Sequence, residues 1–312
     1  RRALVDEPVS IAFIKAFIGD KDLESGHPYM PECAPDTGHT VAVIGGGPAG
    51  LTAAYHLRAM GHSVTIYDAM PKMGGMLRYG IPEYRLPKAI LDKEIDLIAG
   101  MGIKMINNVK IGRDISFDHI KTSYNAVLVA VGAWTSTKMG VKGEENENVI
   151  GGIDFLRKVA LGEEVTAGSN IAIVGGGNTA MDACRTAVRL GAKNVYCIYR
   201  RTRDEMPAED IEIKEAEEEG VIFKYLTNPI EIVSAPDGSI DCVKLQKMQL
   251  GEPDESGRRR PVPIEGVTEE IKVSSLIMAL GQTLDPSGLE AIELTRKGTI
   301  SSDENTFRTN IE

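Results

Sequence analysis

Two glycine-rich turns, Gly45-Gly46-Gly47-Pro48-Ala49-Gly50 and Gly175-Gly176-Gly177-Asn178-Thr179-Ala180, constrain this chain more than any other feature. Each lies between a β-rich run and a helical pattern. Thr40-Val41-Ala42-Val43-Ile44 precedes the first turn and reads as a buried parallel strand. Leu51, Ala54, Tyr55, Leu57 and Arg58 then follow a helical spacing that ends near Gly61. In the second copy Asn170-Ile171-Ala172-Ile173-Val174 is the strand, and Met181, Cys184, Ala187, Val188 and Leu190 mark a helix that stops near Gly191. This is the layout of a dinucleotide-binding unit. Gly45 and Gly175 permit the tight turn, Gly47 and Gly177 let backbone approach a pyrophosphate, and Gly50 lets helix pack close on strand. Ala180 is a replacement that the fingerprint allows. Free N–H groups and the helix dipole favour the anion, and Pro48 costs little in a first turn whose N–H groups are unpaired anyway.

The two units differ where the ribose is read. After the first, Val64-Thr65-Ile66-Tyr67 forms a second strand closing on Asp68, a carboxylate that accepts from a ribose 2′-OH and repels a 2′-phosphate. After the second, Val195-Tyr196-Cys197-Ile198-Tyr199 leads to Arg200-Arg201. Guanidinium groups there fit the 2′-phosphate of NADP by charge and by bidentate hydrogen bonding. A solvated strand end is the alternative for these arginines, and NADH the alternative cofactor. Two nucleotide sites in one chain imply hydride passing between two cofactors.

The stretch Pro71-Lys72-Met73-Gly74-Gly75-Met76-Leu77-Arg78-Tyr79-Gly80-Ile81-Pro82-Glu83-Tyr84-Arg85-Leu86-Pro87 resembles the flavin-contacting loop of the glutamate synthase small-subunit family. These are NADPH-dependent FAD oxidoreductases, also similar to one part of dihydropyrimidine dehydrogenase. The resemblance continues through Tyr199-Arg200-Arg201-Thr202, Glu205-Met206-Pro207-Ala208 and Ala279-Leu280-Gly281-Gln282, and it takes in the start, from Arg1 to Ile11. It implies FAD on the first unit and NADP(H) on the second. On that basis Gly45, Gly47, Pro48, Ala49, Gly50, Asp68, Gly75, Met76, Leu77, Ile81, Val109, Ala130 and Gly132 are expected around FAD. Gly175, Gly177, Asn178, Thr179, Arg200, Arg201, Ala279 and Gly281 complete the cofactor set. Gly74 and Gly75 allow backbone to lie against a planar ring system. Val109 resembles the residue whose backbone pairs with the adenine edge, although a core valine would look the same. The hydrophobic runs ending at Ala130-Val131-Gly132-Ala133 and Ala279-Leu280-Gly281 read as strands with small residues beside the cofactors.

The resemblance also implies organisation. The expected fold is α/β, with two Rossmann-like domains, the second inserted in the first, behind a short helical linker. Residues 1–37 form that linker, with Ile11, Ile14, Phe17 and Ile18 on one apolar face. Residues 38–142 are the first part of the FAD domain and 143–282 the NADPH domain. That domain includes an acidic helix from Ala208 to Glu219 and a β-hairpin region from Val221 to Ile271. Residues 283–312 return toward the FAD domain. The approach to Phe307-Arg308-Thr309-Asn310-Ile311-Glu312 resembles that of the family's last FAD-domain strand, so the resemblance implies an incomplete FAD domain with weak FAD retention. Iron–sulfur clusters, carried by family members upstream, are expected outside this chain.

Composition sets the outer bounds. The chain has 312 residues, 42% hydrophobic and 26% charged, as in a globular protein with room for two cores. A net charge of −10 argues against nucleic acid, and no run approaches the length of a membrane span. A cytoplasmic location is expected. Arg258-Arg259-Arg260 follows a polar turn and reads as a solvated hairpin tip, and Glu215, Glu217, Glu218 and Glu219 as a solvated helix face. Cys33, Cys184, Cys197 and Cys242 form no Cys-x-x-Cys pair, and Cys33 is the one expected at the surface. His27, His39, His56, His62 and His119 have no metal-ligand spacing, so no metal is expected. Hydride transfer needs no acid or base, and no catalytic side chain is assigned; Glu83 lies beside a cofactor motif, and Asp182 does too but could equally pair within its helix. The expected activity is hydride transfer from NADPH to FAD, then electrons onward to a partner subunit or an iron–sulfur protein. An NADH-linked electron-transfer subunit and a non-catalytic dinucleotide-binding module remain as alternatives.

Overall fold

A computed structural model describes residues 5–6, 8–165, 168–253 and 257–311. Most of the resembling run at the start (1–4 and 7) and the tip of the expected hairpin (254–256) lie outside the described residues. The chain divides into two compact units, Arg1–Arg78 with Leu86–Val131, and Tyr79–Arg85 with Gly132–Glu312.

In the first unit the order is α1 (Ile11–Glu24), β1 (Thr40–Ile44), α2 (Pro48–Ala59), β2 (Ser63–Tyr67), α3 (Met76–Tyr79), α4 (Lys88–Gly100), β3 (Lys104–Ile106), α5 (Phe117–Ser123) and β4 (Ala126–Val129). The strands form a parallel sheet in the order β3-β2-β1-β4. Parallel neighbours need crossovers, and α2 and α4 supply apolar faces to that purpose: Leu51 and Ala54 from α2, Leu91 and Ile95 from α4, packed with Val43 and Ile66 of the sheet. β1 and β2 bury four consecutive residues each, the mark of a strand covered on both faces. A helix forms at Ile11–Glu24, inside the segment expected to be helical. It buries none of its side chains, and Ile11, Ile14, Phe17 and Ile18 stay exposed together with Phe13.

The second unit runs β5 (Thr135–Ser136), β6 (Val149–Gly151), α6 (Gly152–Ala160), β7 (Asn170–Val174), α7 (Asn178–Arg189), β8 (Asn194–Ile198), α8 (Asp210–Glu218), β9 (Ile222–Lys224), β10 (Thr227–Ser234), β11 (Ile240–Pro253), β12 (Arg259–Ile271), β13 (Ser275–Met278) and β14 (Gln282–Thr283). A five-stranded parallel sheet has the order β6-β13-β7-β8-β9, and β10-β11-β12 form an antiparallel sheet. The hairpin region therefore begins at Thr227 rather than Val221. Ile222, Phe223 and Lys224, delivered by the α8 crossover, pair in parallel with Tyr196, Cys197 and Ile198 instead.

The contacts also draw the unit boundaries differently from the sequence. Residues 132–142 cluster with the second unit because β5 pairs antiparallel with β14 and the Lys142 carbonyl accepts from the Ile232 N–H at 2.8 Å. Residues 283–311 belong to the same unit and are held by local bonds, such as Asn310 Nδ2 to the Ala291 carbonyl at 3.0 Å. The acidic run on α8 is not simply a solvated face. Glu215 and Glu219 bind arginines of α7, and Glu217 binds Arg203 at 2.6 Å.

Candidate functional sites: two glycine clamps

The first turn is held by backbone. β1 ends at Ile44, and the Gly45 N–H donates to the Tyr67 carbonyl of β2 at 2.8 Å. Gly45 has φ +109°, and a Cβ there would collide with the carbonyl oxygen of Ala130, whose own N–H donates to Ile44 at 2.8 Å. A Cβ on Gly50 would collide with the Gly45 carbonyl, so the helix starts as close to the strand as the sequence pattern requires. Gly47 caps α2 without any side-chain bond, and Pro48 opens the helix. The first-turn N–H groups are thus left to an external anion, as a pyrophosphate site requires. Gly75, at φ +51°, lies against this turn: a Cβ on it would sit 2.7 Å from the Gly47 Cα. The Gly74 N–H donates to the Gly46 carbonyl at 2.8 Å, and Met76 and Leu77 open α3 directly after. Bare backbone on both sides is a cradle that side chains would fill.

Asp68 is placed at this turn, 9% exposed, with Oδ2 accepting from the Gly46 N–H at 2.6 Å and Oδ1 from the Met70 N–H at 2.7 Å. Burial pushes its pKa up, against the two backbone bonds that hold it down. Val109 is adjacent in bonding, its N–H donating to the Asp68 carbonyl at 2.9 Å. Ile81 lies in the Tyr79–Arg85 segment, which belongs to the second unit, as does Gly132, at φ +73° beside the Trp134 indole.

The second turn repeats the clamp residue for residue. The Gly175 N–H donates to the Ile198 carbonyl at 3.1 Å, and a Cβ on Gly175 would collide with the carbonyl of Ala279, whose N–H donates to Val174 at 2.8 Å. Gly177 caps α7 without a side-chain bond. Asn178 Oδ1 accepts from the Glu209 N–H at 3.1 Å, Thr179 is half-buried, and Ala180 is fully buried where the first unit has Gly50. Gly281, at φ +127°, accepts through its carbonyl from the Thr137 N–H at 2.9 Å.

Strand register corrects one detail. Ile44 pairs with Tyr67 and Val174 with Ile198, so the residue equivalent to Asp68 is Tyr199, with Arg200 and Arg201 one and two positions further. A Cβ on Gly176 would meet the Tyr199 ring, as one on Gly46 would approach the Asp68 carboxylate. An aromatic ring thus fills the acid's place, and a 2′-phosphate meets no negative charge there. Arg200 is exposed. Arg201 is 5% exposed, with Nε donating to the Arg259 carbonyl at 2.7 Å.

A charged cluster on the second unit was not assembled by sequence reasoning. Arg85 Nη1 contacts both oxygens of Asp182 at 2.9 and 2.8 Å, and its Nε reaches Glu212 at 2.9 Å. Arg185 binds Glu212, Glu215 and Glu219 at 2.8, 2.6 and 2.9 Å, and Arg189 also binds Glu219. The Tyr84 ring packs under both guanidiniums, 4.7 Å from Arg185 and 3.8 Å from Arg189. Burial raises the Asp182 pKa to about 6 despite Arg85 and that of Tyr84 to about 12. The signal was present in the spacing of positions 182, 185 and 189 on one helix and 212, 215 and 219 on another. Its partner strap, Tyr84-Arg85, carries no such mark. Among the described residues no group of acids, histidines and cysteines could hold a metal ion, and no helix is long and apolar enough to cross a membrane. Cys33 is exposed, and the other three cysteines are buried as free thiols.

Two βαβ clamps, each ending in an uncapped helix, define a protein that binds two dinucleotides. The chain belongs to the pyridine nucleotide-disulphide oxidoreductase family, whose model matches residues 39–312. It is 42% identical to the NADP(+)-dependent formate dehydrogenase subunit beta of Moorella thermoacetica over the whole chain, but over 47% of that protein. It is 36% identical to the glutamate synthase [NADPH] small chain of Escherichia coli, across 96% of the chain and 67% of that protein. The chain spans about half the length of the formate dehydrogenase relative and of the NADPH-Fe(3+) oxidoreductase subunit beta of Geobacter sulfurreducens, to which it is 40% identical across 96% of the chain and 46% of that protein. Among solved structures, Mycobacterium tuberculosis FprA in complex with NADPH has the same fold, with a TM-score of 0.75 at 19% identity over 89% of this chain and 77% of that one. The family binds FAD and NADPH, and the two cradles fit those groups: bare glycine backbone, unpaired helix N-termini, and a carboxylate beside one turn but not the other.

Proposed function

We propose that the chain is the NADPH:FAD oxidoreductase module of an electron-transfer protein, with FAD on the first clamp and NADPH on the second. The observation that supports this most directly is the duplicated clamp with opposite ribose readers: Asp68 at Gly46 in one unit, Tyr199 followed by Arg200 in the other. When bound, the cofactors supply the chemistry, a hydride passing from the nicotinamide to the flavin. The chain supplies position. Gly47 and Gly177 present unpaired helix N-termini to the two pyrophosphates. Ala130 and Ala279 close the turns through their carbonyls, so that each glycine backbone is fixed before a cofactor arrives. Arg200 offers an exposed planar fork to the 2′-phosphate.

Electrons then leave for a partner of iron–sulfur type. A partner subunit is supported by relatives named as beta subunits of a formate dehydrogenase and of an NADPH-Fe(3+) oxidoreductase, and the iron–sulfur type by the sequence resemblance. Anaerobic mixing of the FAD-loaded chain with NADPH tests the central step. Bleaching of the flavin's visible absorbance by NADPH, faster than by NADH, is expected. No bleaching with either nucleotide would leave a binding module.

A further inference from the structure

We propose that the 2′-phosphate end of the second nucleotide site is built from two elements, the turn after β8 and the β11–β12 hairpin, with Arg201 as the tether between them. The proposal rests on the reading that the second unit binds NADPH. The sequence presents Arg200-Arg201 as a like pair and Arg258-Arg259-Arg260 as an unrelated solvated tip. The structure joins them. Arg201 is 5% exposed, and its Nε donates to the Arg259 carbonyl at 2.7 Å. The Arg259 guanidinium is folded onto its own hairpin, Nε to the Gly251 carbonyl at 3.1 Å and Nη2 to the Leu250 carbonyl at 3.0 Å.

The turn after β8 is stitched to the same sheet by backbone. Leu226 N–H donates to the Arg201 carbonyl at 3.0 Å, and Met248 N–H, from β11, donates to the Leu226 carbonyl at 2.8 Å. A buried guanidinium spent on a backbone carbonyl fixes geometry and is not presented to a ligand. The two arginines of the pair therefore have separate tasks. Arg200 is the direct reader, and Arg201 is a positioning residue whose bond to the Arg259 carbonyl ties the strand that carries Arg260 to the turn after β8. Arg200 and Arg260 are both exposed, and neither enters an ion pair among the described residues. In a chain with a net charge of −10, a local concentration of guanidinium charge draws a dianionic phosphate out of proportion to its size. NADH, which lacks that phosphate, gains nothing from it.

The test measures dissociation constants of the full chain for NADPH, NADH and 2′,5′-ADP, the last across a salt series. Arg260→Glu should weaken NADPH and 2′,5′-ADP by about threefold or more, leave NADH within about twofold, and flatten the salt dependence of 2′,5′-ADP binding. Arg260→Gln should give a smaller shift in the same direction. Arg201→Lys keeps the charge but loses the planar fork, and should also lower the NADPH:NADH preference. Circular dichroism and thermal melts identify any variant that fails to fold. Arg260 is exposed, so its two variants decide the matter if Arg201→Lys is unstable. If both Arg260 variants keep the wild-type preference while Arg200→Ala lowers it, the site has one element and the proposal is overturned. A folded Arg201→Lys with unchanged preference overturns the tether. Should Arg200→Ala also leave the preference intact, it is the NADPH reading of this unit that fails.

Discussion

Gly45, Gly46, Gly50, Gly175 and Gly176 each avoid a collision that a Cβ would make, and the last position of the turn differs between units in a way that can be tested. Gly50 faces the Gly45 carbonyl, whereas its counterpart Ala180 is accommodated, fully buried, in the second unit. Gly50→Ala should therefore destabilise the first unit by about 1–3 kcal/mol, the usual penalty of overpacking. Urea unfolding read against wild type measures it, and an unchanged midpoint would mean that α2 can move off the strand freely. Asp182 gives a second prediction. Its pKa is raised by burial from 3.8 to about 6, so between these values the native state holds a proton that the unfolded chain has released. Stability must then fall as pH rises through this window, by about 3 kcal/mol at 1.36 kcal/mol per unit. Asp182→Asn has no proton to lose, and the difference between the two proteins should drift by that amount between about pH 4 and about pH 6. Parallel curves would show that Asp182 stays ionised throughout.

At the scale of elements, what the sequence discloses depends on whether the requirement is local. A tight turn, a positive φ or a helix packed onto a strand asks for glycine at that very position, so both clamps were legible from spacing. Partners across the chain were not. The Arg85–Asp182 pair joins residues 97 apart, and neither segment signals the other. Tyr199 was passed over for the arginines because strand register is fixed by pairing with β7, which a single strand does not reveal. Glu215 and Glu219 looked solvated for the same reason, their partners being on α7. That last contact has a measurable consequence. Arg185 is 5% exposed and binds three carboxylates, of which Glu212 keeps Arg85 and Glu219 keeps Arg189 when it is removed, so Arg185→Ala weakens the compensation of the buried Glu212 without abolishing it. A loss of about 1–3 kcal/mol is expected. Lys214→Ala, which breaks an exposed 3.8 Å pair with Glu218 on the same helix, should change stability by less than about 1 kcal/mol. Equal effects would mean that the α7–α8 network is as well screened as the surface.

For the molecule as a whole, the decisive property is that each unit completes its own clamp. Ala130 closes over Gly45 within the first unit and Ala279 over Gly175 within the second, and the proposed ribose readers, Asp68 and Arg200, lie just past the strand beside each turn. Loss of one cofactor should then leave the other in place. Asp68→Ala removes the acceptor of the Gly46 and Met70 N–H groups and the proposed ribose contact. It should weaken FAD by about 1–3 kcal/mol, with NADPH affinity unaltered. Arg200→Ala should weaken NADPH about tenfold or more, the worth of one charge-assisted bond, with flavin content unaltered. In the double variant the two losses should add to within about 0.5 kcal/mol. Flavin absorbance per protein and nucleotide titration read the two sites separately. If Asp68→Ala abolished NADPH binding while flavin content held, the units would be assigned the wrong way round. Strong non-additivity in the double variant would instead show that occupancy of one clamp governs the other, and the chain would have to be treated as one binding site with two ends.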